Sequence, residues 1–397
     1  MIEYLPIAII VALFAAVALL GLIDRRKRRT LDRFPPLSFI IPCYNDADTV
    51  GETVASIYEV CGPGTDVILA DDASTDGGRD RLEELRRRYG FTLVLNPRNK
   101  GKSRTLNDQI HLAKHDVIVF ADADLIVNER SLRDALARLE NPTVGAVSCP
   151  YAPQNSGVIP LMQHIEYNML SFIQGAYNCF SAIALWGGFI VVRKEAFLAA
   201  GAFSPNAITE DMDLAFKLNE IGWRVEQSFC PVRTYVPETL RKWYKQKIRW
   251  SSGGLQCFTK HYRVWAKNPL HLVFISSYCV LLTFAVLELG RDIVLWDRML
   301  AYLNSLNERE SLGLSLRLTG LRYGALLTAD LAWRLSFTAL SLPFVWPLVK
   351  SWRRIHLALL AVPFSILYIP VFTVTSLIGA AHYLRRRREL LAASRAW

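Results

Sequence analysis

From residue 37 the chain alternates short apolar runs with amphipathic ones. Leu37 to Cys43 is a β-rich run closed by Pro42 and Asn45, which predicts a strand. Thr49 to Val60 carries helical spacing, with Asp48 or Thr49 available as N-cap. Asp66 to Ala70 predicts a second strand, Asp80 to Tyr89 a helix stopped by Gly90, and Thr92 to Leu95 a third strand. Lys102 to Lys114 predicts the next helix, and Val117 to Ala121 the next strand. Strands that alternate with helices in this way form a largely parallel sheet covered by helices on both faces. The expected fold is therefore an α/β, Rossmann-like domain, over residues 30–265.

The flanks follow a different pattern. Residues 4–23 hold no charge and are long enough for about 30 Å of hydrocarbon. Arg25 to Arg29 follow at once, which places that end on the cytoplasmic side. A cleaved signal carries its basic residues before the apolar core, so residues 1–29 read as an uncleaved anchor. Apolar stretches at 270–290, 322–349 and 356–383 predict about three further spans within 266–397. Glu288 ends the first. Asp330 and Arg334 lie inside the second at i,i+4, where they pair or face a polar conduit. Residues 291–320 are rich in charge and belong outside the bilayer. Four spans put both termini outside, which suits Lys350, Arg353 and Arg354 but opposes Arg385 to Arg388. Pro363 and Pro370 interrupt the last stretch. Residues 160–180 are too polar to span, and read as an interfacial helix or a buried one. The expectation is an integral plasma-membrane protein with a cytosolic central domain.

The composition fits this division. Of 397 residues 52% are hydrophobic, enough for one large domain and several spans. The net charge of +10 lies largely beside the apolar stretches, which favours anionic lipid over nucleic acid. Seven cysteines without a CxxC pair predict reduced packing residues, neither disulfides nor a zinc site.

Polar motifs stand at the ends of the predicted strands, where open α/β sheets bind ligands. Ile41 to Asp46 closes the first and Ala70 to Asp76 the second. Asp122-Ala123-Asp124 closes the strand that starts at Val117. Two carboxylates one residue apart are hard oxygen ligands for a Mg²⁺ or Mn²⁺ that also holds phosphates; the alternative is a polar loop. Asn99 to Lys102 opens a helix, Thr209-Glu210-Asp211 opens another, and Gln246-Lys247-Ile248-Arg249-Trp250 follows. Thr209 reads as N-cap, with Leu214, Leu218 and Ile221 on one helix face and Gly222 at its end.

In this order the motifs over residues 36–260 resemble the membrane-bound family 2 glycosyltransferases of the QxxRW synthase type. These include chitin, hyaluronan, cellulose and poly-N-acetylglucosamine synthases. One span before and three after is similar to the chitooligosaccharide synthases; Thr209 to Gly254 is similar to the bacterial poly-N-acetylglucosamine synthases. Where such families carry a Cys-Gly-Ser-like or Ser-Gly-Pro-like acceptor loop, this chain has Leu185-Trp186-Gly187-Gly188-Phe189. The resemblance implies a GT-A nucleotide-sugar domain and an inverting, metal-dependent sugar transfer. The acceptor would be a growing glycan or a lipid-linked glycan, with no nucleic acid and an open question of a partner subunit. It implies Asp211 as base beside Glu210, and Asp122 and Asp124 on Mg²⁺ or Mn²⁺. Tyr44, Asp46, Asp72, Lys102, Asp122, Gln246 and Arg249 would hold the nucleotide sugar. Trp250, Trp186 and Gly187 would meet the acceptor. The plainer alternatives are dipole complementation for Glu210 and Asp211, a solvated lysine for Lys102, and an interfacial helix presenting Lys242, Trp243, Lys245 and Lys247.

Overall fold

The computed structural model describes residues 31, 33–267, 338–339, 341–349 and 352–395, with Ala16, Leu19, Leu20, Ile23, Asp24, Gly290, Asp297 and Ala301 as single positions. Most of the stretches expected to span at 4–23, 270–290 and 322–349, the basic run Arg25 to Arg29, and Glu288, Asp330 and Arg334 lie outside the described residues.

The α/β domain is built on a seven-stranded sheet. Its strands are β1 (Leu37–Cys43), β2 (Asp66–Asp71), β3 (Thr92–Leu95), β4 (Val117–Ala121), β6 (Val144–Ser148), β8 (Phe189–Arg193) and β9 (Arg224–Gln227). They lie in the order β3-β2-β1-β4-β8-β6-β9. The first four are mutually parallel, as the alternation predicts. Only β8 is antiparallel to its neighbours, entering between β4 and β6. Three short strands, β5 (Leu125–Ile126), β7 (Tyr151–Pro153) and β10 (Val232–Thr234), form a second small sheet.

Both faces of the large sheet are covered. Alternate strand residues (Phe39, Ile41, Leu69, Val119) pack with Val50, Val54 and Ile57 of α1 (Val50–Cys61), Leu82 and Leu85 of α2 (Gly78–Tyr89) and Leu132 and Leu136 of α4 (Glu129–Leu139). Ile40, Ile68, Ile118 and Phe120 pack on the other face with Leu106 of α3 (Lys102–Gln109), Phe197 of α6 (Lys194–Ala199) and Leu214 and Leu218 of α7 (Glu210–Glu220). Strands buried on both sides must be apolar throughout, so they read as runs and not as alternations. The helix expected to reach Lys114 ends at Gln109 and continues as turns. The six cysteines of the domain are free thiols, and burial pushes Cys43 and Cys257 up to about 12.

Residues Val158–Tyr177 form α5, which buries Gln163, Glu166 and Ser171 within the domain. This is the buried alternative for the 160–180 stretch. Each of these polar residues has a partner inside: Glu166 meets the buried Lys247 of α8 (Leu240–Lys260), Gln163 donates to Pro237 C=O, and Ser171 Oγ accepts from Gln227. Trp243 and Lys247 are 1% and 0% exposed, so neither belongs to an interfacial face; Lys242, Tyr244 and Lys245 do remain exposed.

Thr209 occupies the N-cap position of α7 but makes no capping bond. Its hydroxyl instead lies against Cys257 Sγ of α8, and a Cβ added at Gly253 would collide with it. The helices cross at that glycine. Behind the crossing, Asp213 accepts from Ser204 Oγ (2.5 Å) and Lys260 Nζ (2.6 Å), and His261 Nε2 lies 2.9 Å away. Ile221, expected on the apolar face, is 47% exposed at the C-cap.

By backbone contacts the chain divides into two units, residues 1–271 with 378–397 and residues 272–377. In the first, Gly379 C=O accepts from Ser252 Oγ (2.8 Å) and Tyr383 Oη meets Thr259 Oγ1 (2.9 Å). In the second, Thr338 Oγ1 bonds Ser365 Oγ at 2.8 Å. Among the described residues one helix, Ile355–Arg386, is long and apolar enough to cross a membrane. Its turns widen to π geometry over Phe364–Tyr368, between Pro363 and Pro370, each of which lacks an N–H to donate.

Burial opposes the charge on Asp213, but His261, Lys260 and Ser204 outweigh it and hold the carboxyl well below the ordinary range. Such a group stabilises the fold above its unfolded value of about 3.9 and loses that contribution as pH falls below it. Asp213→Asn should therefore cost about 3 kcal/mol near neutral pH. The wild-type and variant urea midpoints should converge as the pH drops below about 4. Equal midpoints at neutral pH would contradict this.

Candidate active site

The carboxyl ends of β2, β1 and β4 lie side by side on one edge of the sheet. The turn after β1 is held in a left-handed backbone at Asn45 (φ 59°) and laced to the turn after β2. Asn45 N donates to Ser74 Oγ at 3.0 Å, Thr75 N to Asn45 Oδ1 at 2.8 Å, and Ala47 N to Asp76 Oδ2 at 3.1 Å. This leaves the Tyr44 ring 48% exposed at the rim, with Asp46 beneath accepting Tyr44 N–H (2.9 Å). Burial, offset in part by that bond, raises the Asp46 carboxyl above its ordinary value, and Asp122 adds to the rise.

Asp72 is committed to the protein. Its oxygens accept from Asn96 Nδ2 (3.0 Å), Lys100 N (3.0 Å) and Gly101 N (2.8 Å). These bonds outweigh burial and hold the carboxyl below the ordinary range. They also fix the first turn of α3, which starts at Lys102.

Lys102 is the centre of the site. Its Nζ lies 2.6 Å from Asp122 Oδ1 and 3.5 Å from Glu210 Oε1, and donates to Gly187 C=O at 3.2 Å. Burial works against its charge, but Asp122, Glu210 and Asp211 prevail and push it above the ordinary lysine value. Burial, with Asp122 and Asp46, pushes Asp124 up to about 7. Burial, with Glu210, pushes Asp211 up to about 7, while Lys102 and Arg249 pull it back. Carboxylates from three segments thus share one lysine.

The loop 185–189 is the other half of the site. Asp122 N donates to Gly188 C=O at 2.9 Å, which extends the β4–β8 pairing to the DxD. A Cβ on Gly187 would collide with the Asp211 carboxylate, and one on Gly188 would meet Tyr151 Oη at 2.7 Å. Two adjacent glycines let this backbone lie against the acids. Trp186 is 5% exposed and commits its indole N–H to Gln227 Oε1 (2.9 Å), so it is a supporting ring and not an open acceptor face. Trp250 is partly open, 6.5 Å from Trp186 and 6.1 Å from Tyr167 between centroids. Lys247 Nζ stands 4.1 Å from its centroid and 2.6 Å from Glu166 Oε1. Arg249 is exposed, yet acts electrostatically on Asp211. Gln246 faces Tyr167, and its Oε1 is buried without a hydrogen-bond partner.

The structure therefore brings Asp122, Lys102, Gly187, Glu210 and Asp211 together, with Asp46 and Asp124 close enough to act on one another. Asp72 stands one step behind and Trp186 beneath. Tyr151, Tyr167, Glu166 and Lys247 also belong to the site. Lys247 lies inside the Gln246 to Trp250 motif, whereas Tyr151, Tyr167 and Glu166 follow no spacing rule and no sequence signal points to them.

Residues 38–199 match the family described as glycosyl transferase family 2. The chain is similar to the poly-β-1,6-N-acetyl-D-glucosamine synthase of Staphylococcus aureus, 26% identical over 274 residues, which is 67% of this chain and 66% of that protein. It thus spans just under two thirds of that relative's length. The Staphylococcus epidermidis synthase is 28% identical over 225 residues, 55% of this chain and 54% of that protein. Among solved structures the fold is shared with the mannosyltransferase PcManGT from Pyrobaculum calidifontis in complex with GDP-Man and Mn²⁺. That likeness has a TM-score of 0.57 at 19% identity and covers 96% of this chain and 99% of the other. The α/β domain is a glycosyltransferase domain of GT-A-like fold.

Gly187→Ala tests the close approach. Its methyl must displace Asp211, while Lys102, Asp122 and the sheet edge stay in place. Sugar transfer should fall about 10²-fold, the cost of misplacing a reacting group by about 1 Å, with the thermal midpoint nearly unchanged. Wild-type turnover by this variant would remove Asp211 from the reaction.

Proposed function

We propose that the protein is a membrane-embedded, inverting glycosyltransferase that moves a sugar from a nucleotide diphosphate to a growing glycan, forming β-linkages. One observation carries this reading: Lys102 joins Asp122 of the DxD to Glu210 beside Asp211, and Tyr151 links their glycine loop to the aromatic cluster that holds Trp250. A phosphate-facing cluster, a buried acid near neutrality and an aromatic platform lie within one site. The similarity to poly-N-acetylglucosamine synthases favours a UDP-N-acetylhexosamine donor and a processive product. The apolar helix Ile355–Arg386 and the expected spans support the membrane setting, with the domain in the cytosol where nucleotide sugars are made.

Each residue then has a task. Tyr44 stacks on the base, and Asp46 accepts from the base or ribose. Lys102 and Arg249 hold the diphosphate. Trp250 lies under the terminal sugar of the acceptor and orients its hydroxyl. Asp211 accepts the hydroxyl proton as that oxygen attacks the anomeric carbon. The bond from that carbon to the diphosphate oxygen breaks in the same displacement, so the configuration inverts. An α-linked donor yields a β-linkage and a free nucleoside diphosphate.

Asp124 and Asp122 would hold a Mg²⁺ or Mn²⁺. No three Asp, Glu, His or Cys side chains among the described residues form a complete metal cage. Two carboxylates still fit a cation that takes its other ligands from diphosphate and water. When bound, the ion supplies positive charge against the departing diphosphate.

The direct test is a panel of UDP-N-acetylglucosamine, UDP-glucose, UDP-glucuronate and GDP-mannose, with Mn²⁺ or Mg²⁺ and the purified full chain. Asp211→Asn should keep donor binding and lose about 10²–10⁴-fold in transfer. Near-normal turnover would return Asp211 to completing a helix terminus. The metal role has its own pH signature. Burial and the neighbouring carboxylates raise Asp124 to about 7, so a cation bound there competes with a proton at lower pH. Mn²⁺ affinity should fall about tenfold per pH unit below 7 and level off above it. Calorimetry across that range checks it, and a flat profile counts against Asp124 as ligand.

A further inference from the structure

Tyr151 stands where the two halves of the site meet. It begins β7, next to Pro150, and its ring is held edge-on by Trp186 (centroids 4.8 Å, 75°) and Tyr167 (5.9 Å, 76°). Those are the rings that support Trp250. At its other end the hydroxyl accepts the Gly188 N–H. Gly188 C=O in turn accepts Asp122 N–H, Gly187 C=O accepts Lys102 Nζ, and Gly187 Cα packs on the Asp211 carboxylate. One phenol oxygen therefore anchors the dipeptide on which the lysine, the DxD and the acid all rest. The peptide N–H it takes sits at a site too crowded for a Cβ, so the ring alone cannot fix that backbone.

We infer that Tyr151 is a positioning residue for transfer: its hydroxyl holds the Gly187–Gly188 turn and so couples the aromatic acceptor platform to Asp211 and the donor. The inference rests on the reading of the site as a glycosyltransferase centre. The hydroxyl gives up no proton in the reaction. Burial and the facing carboxylates Asp122 and Asp211 keep it a neutral phenol, free to accept from Gly188 throughout. The Asp122–Lys102 ion pair (2.6 Å) is made between the two side chains and adds to their bonds with the Gly187 and Gly188 carbonyls, so donor contacts survive loss of the hydroxyl. The alignment of acceptor against Asp211 does not.

The experiment compares wild type, Tyr151→Phe, Tyr151→Leu and Asp211→Asn in the full chain, with radiolabelled UDP-N-acetylglucosamine or whichever donor of the panel the wild type turns over. UDP affinity, thermal midpoint, kcat for transfer and the ratio of donor hydrolysis to transfer are read for each. Tyr151→Phe keeps every ring contact and removes one oxygen. It should bind UDP within about twofold of wild type while kcat falls about 10²-fold and the share of donor lost to water rises. Tyr151→Leu should fall at least as far. A Tyr151→Phe enzyme with wild-type kcat, or one that loses UDP binding and thermal stability together with kcat, overturns the inference. If wild type turns over no nucleotide sugar, or Asp211→Asn matches it, the underlying reading fails instead.

Discussion

The site is organised by one cation among too many acids. Asp122, Glu210 and Asp211 arrive from β4 and the first turn of α7, and Lys102 from the first turn of α3. Without Lys102, carboxylates this close in a half-buried edge could not all remain ionised. Part of the strain shows in Asp124 and Asp211, both raised to about 7. Lys102 offsets the excess of negative charge that the sheet edge holds in place. The rest of the domain serves to hold these groups rigid: Asp72 and Asn96 set the start of α3, and the Asp213 network and the Thr209–Gly253 crossing set the start of α7.

Much of this was legible in the chain. The apolar runs of β1, β2 and β4 must read as they do because helices cover both of their faces, and a polar motif after such a run can stand only at the sheet edge. Asp122, Lys102 and Glu210 were picked out as separate motifs and meet within one salt-bridge cluster. What the chain hid was pairing at a distance. Lys247 looked like one of several surface cations on an amphipathic helix. It is fully buried because Glu166, 81 positions away, waits opposite. The same pairing gives Glu166, one of the polar residues that make 160–180 too polar to span, its place inside the domain. Periodicity reports which face of a helix is apolar; it does not report which buried carboxylate a lysine will find. Thr209 does stand at the N-cap position, but packing against α8 takes its hydroxyl before a backbone N–H can.

The buried Lys247–Glu166 pair bears on the platform as well as on stability. An ammonium 4.1 Å from the Trp250 centroid and 5.2 Å from that of Tyr167 fixes both rings from one side. Such a pair gives little net stability over an apolar replacement, while loss of one partner is costly. Its value is orientation. Gln246 and Arg249 flank it on the same turns of α8, so one helix carries the guanidinium that acts on Asp211, the Trp250 ring and the ion pair that aims the ring.

That helix is itself held by the end of the apolar helix Ile355–Arg386. Gly379 lies so close to Ile248 and Ser251 that a side chain there would meet the α8 backbone at 3.0 Å. Its carbonyl accepts from Ser252, and Tyr383 bonds Thr259 one helical stretch further on. These residues end the apolar helix Ile355–Arg386. The turn that carries Arg249 and Trp250 is thus clamped between Tyr167 and Glu166 of α5 on one side and a small-residue crossing on the other. A contact this tight cannot slide by a fraction of an ångström without moving the platform. The position of the Trp250 ring relative to Asp211 is therefore set jointly by the sheet edge, through Gly187 and Gly188, and by the apolar helix, through Gly379.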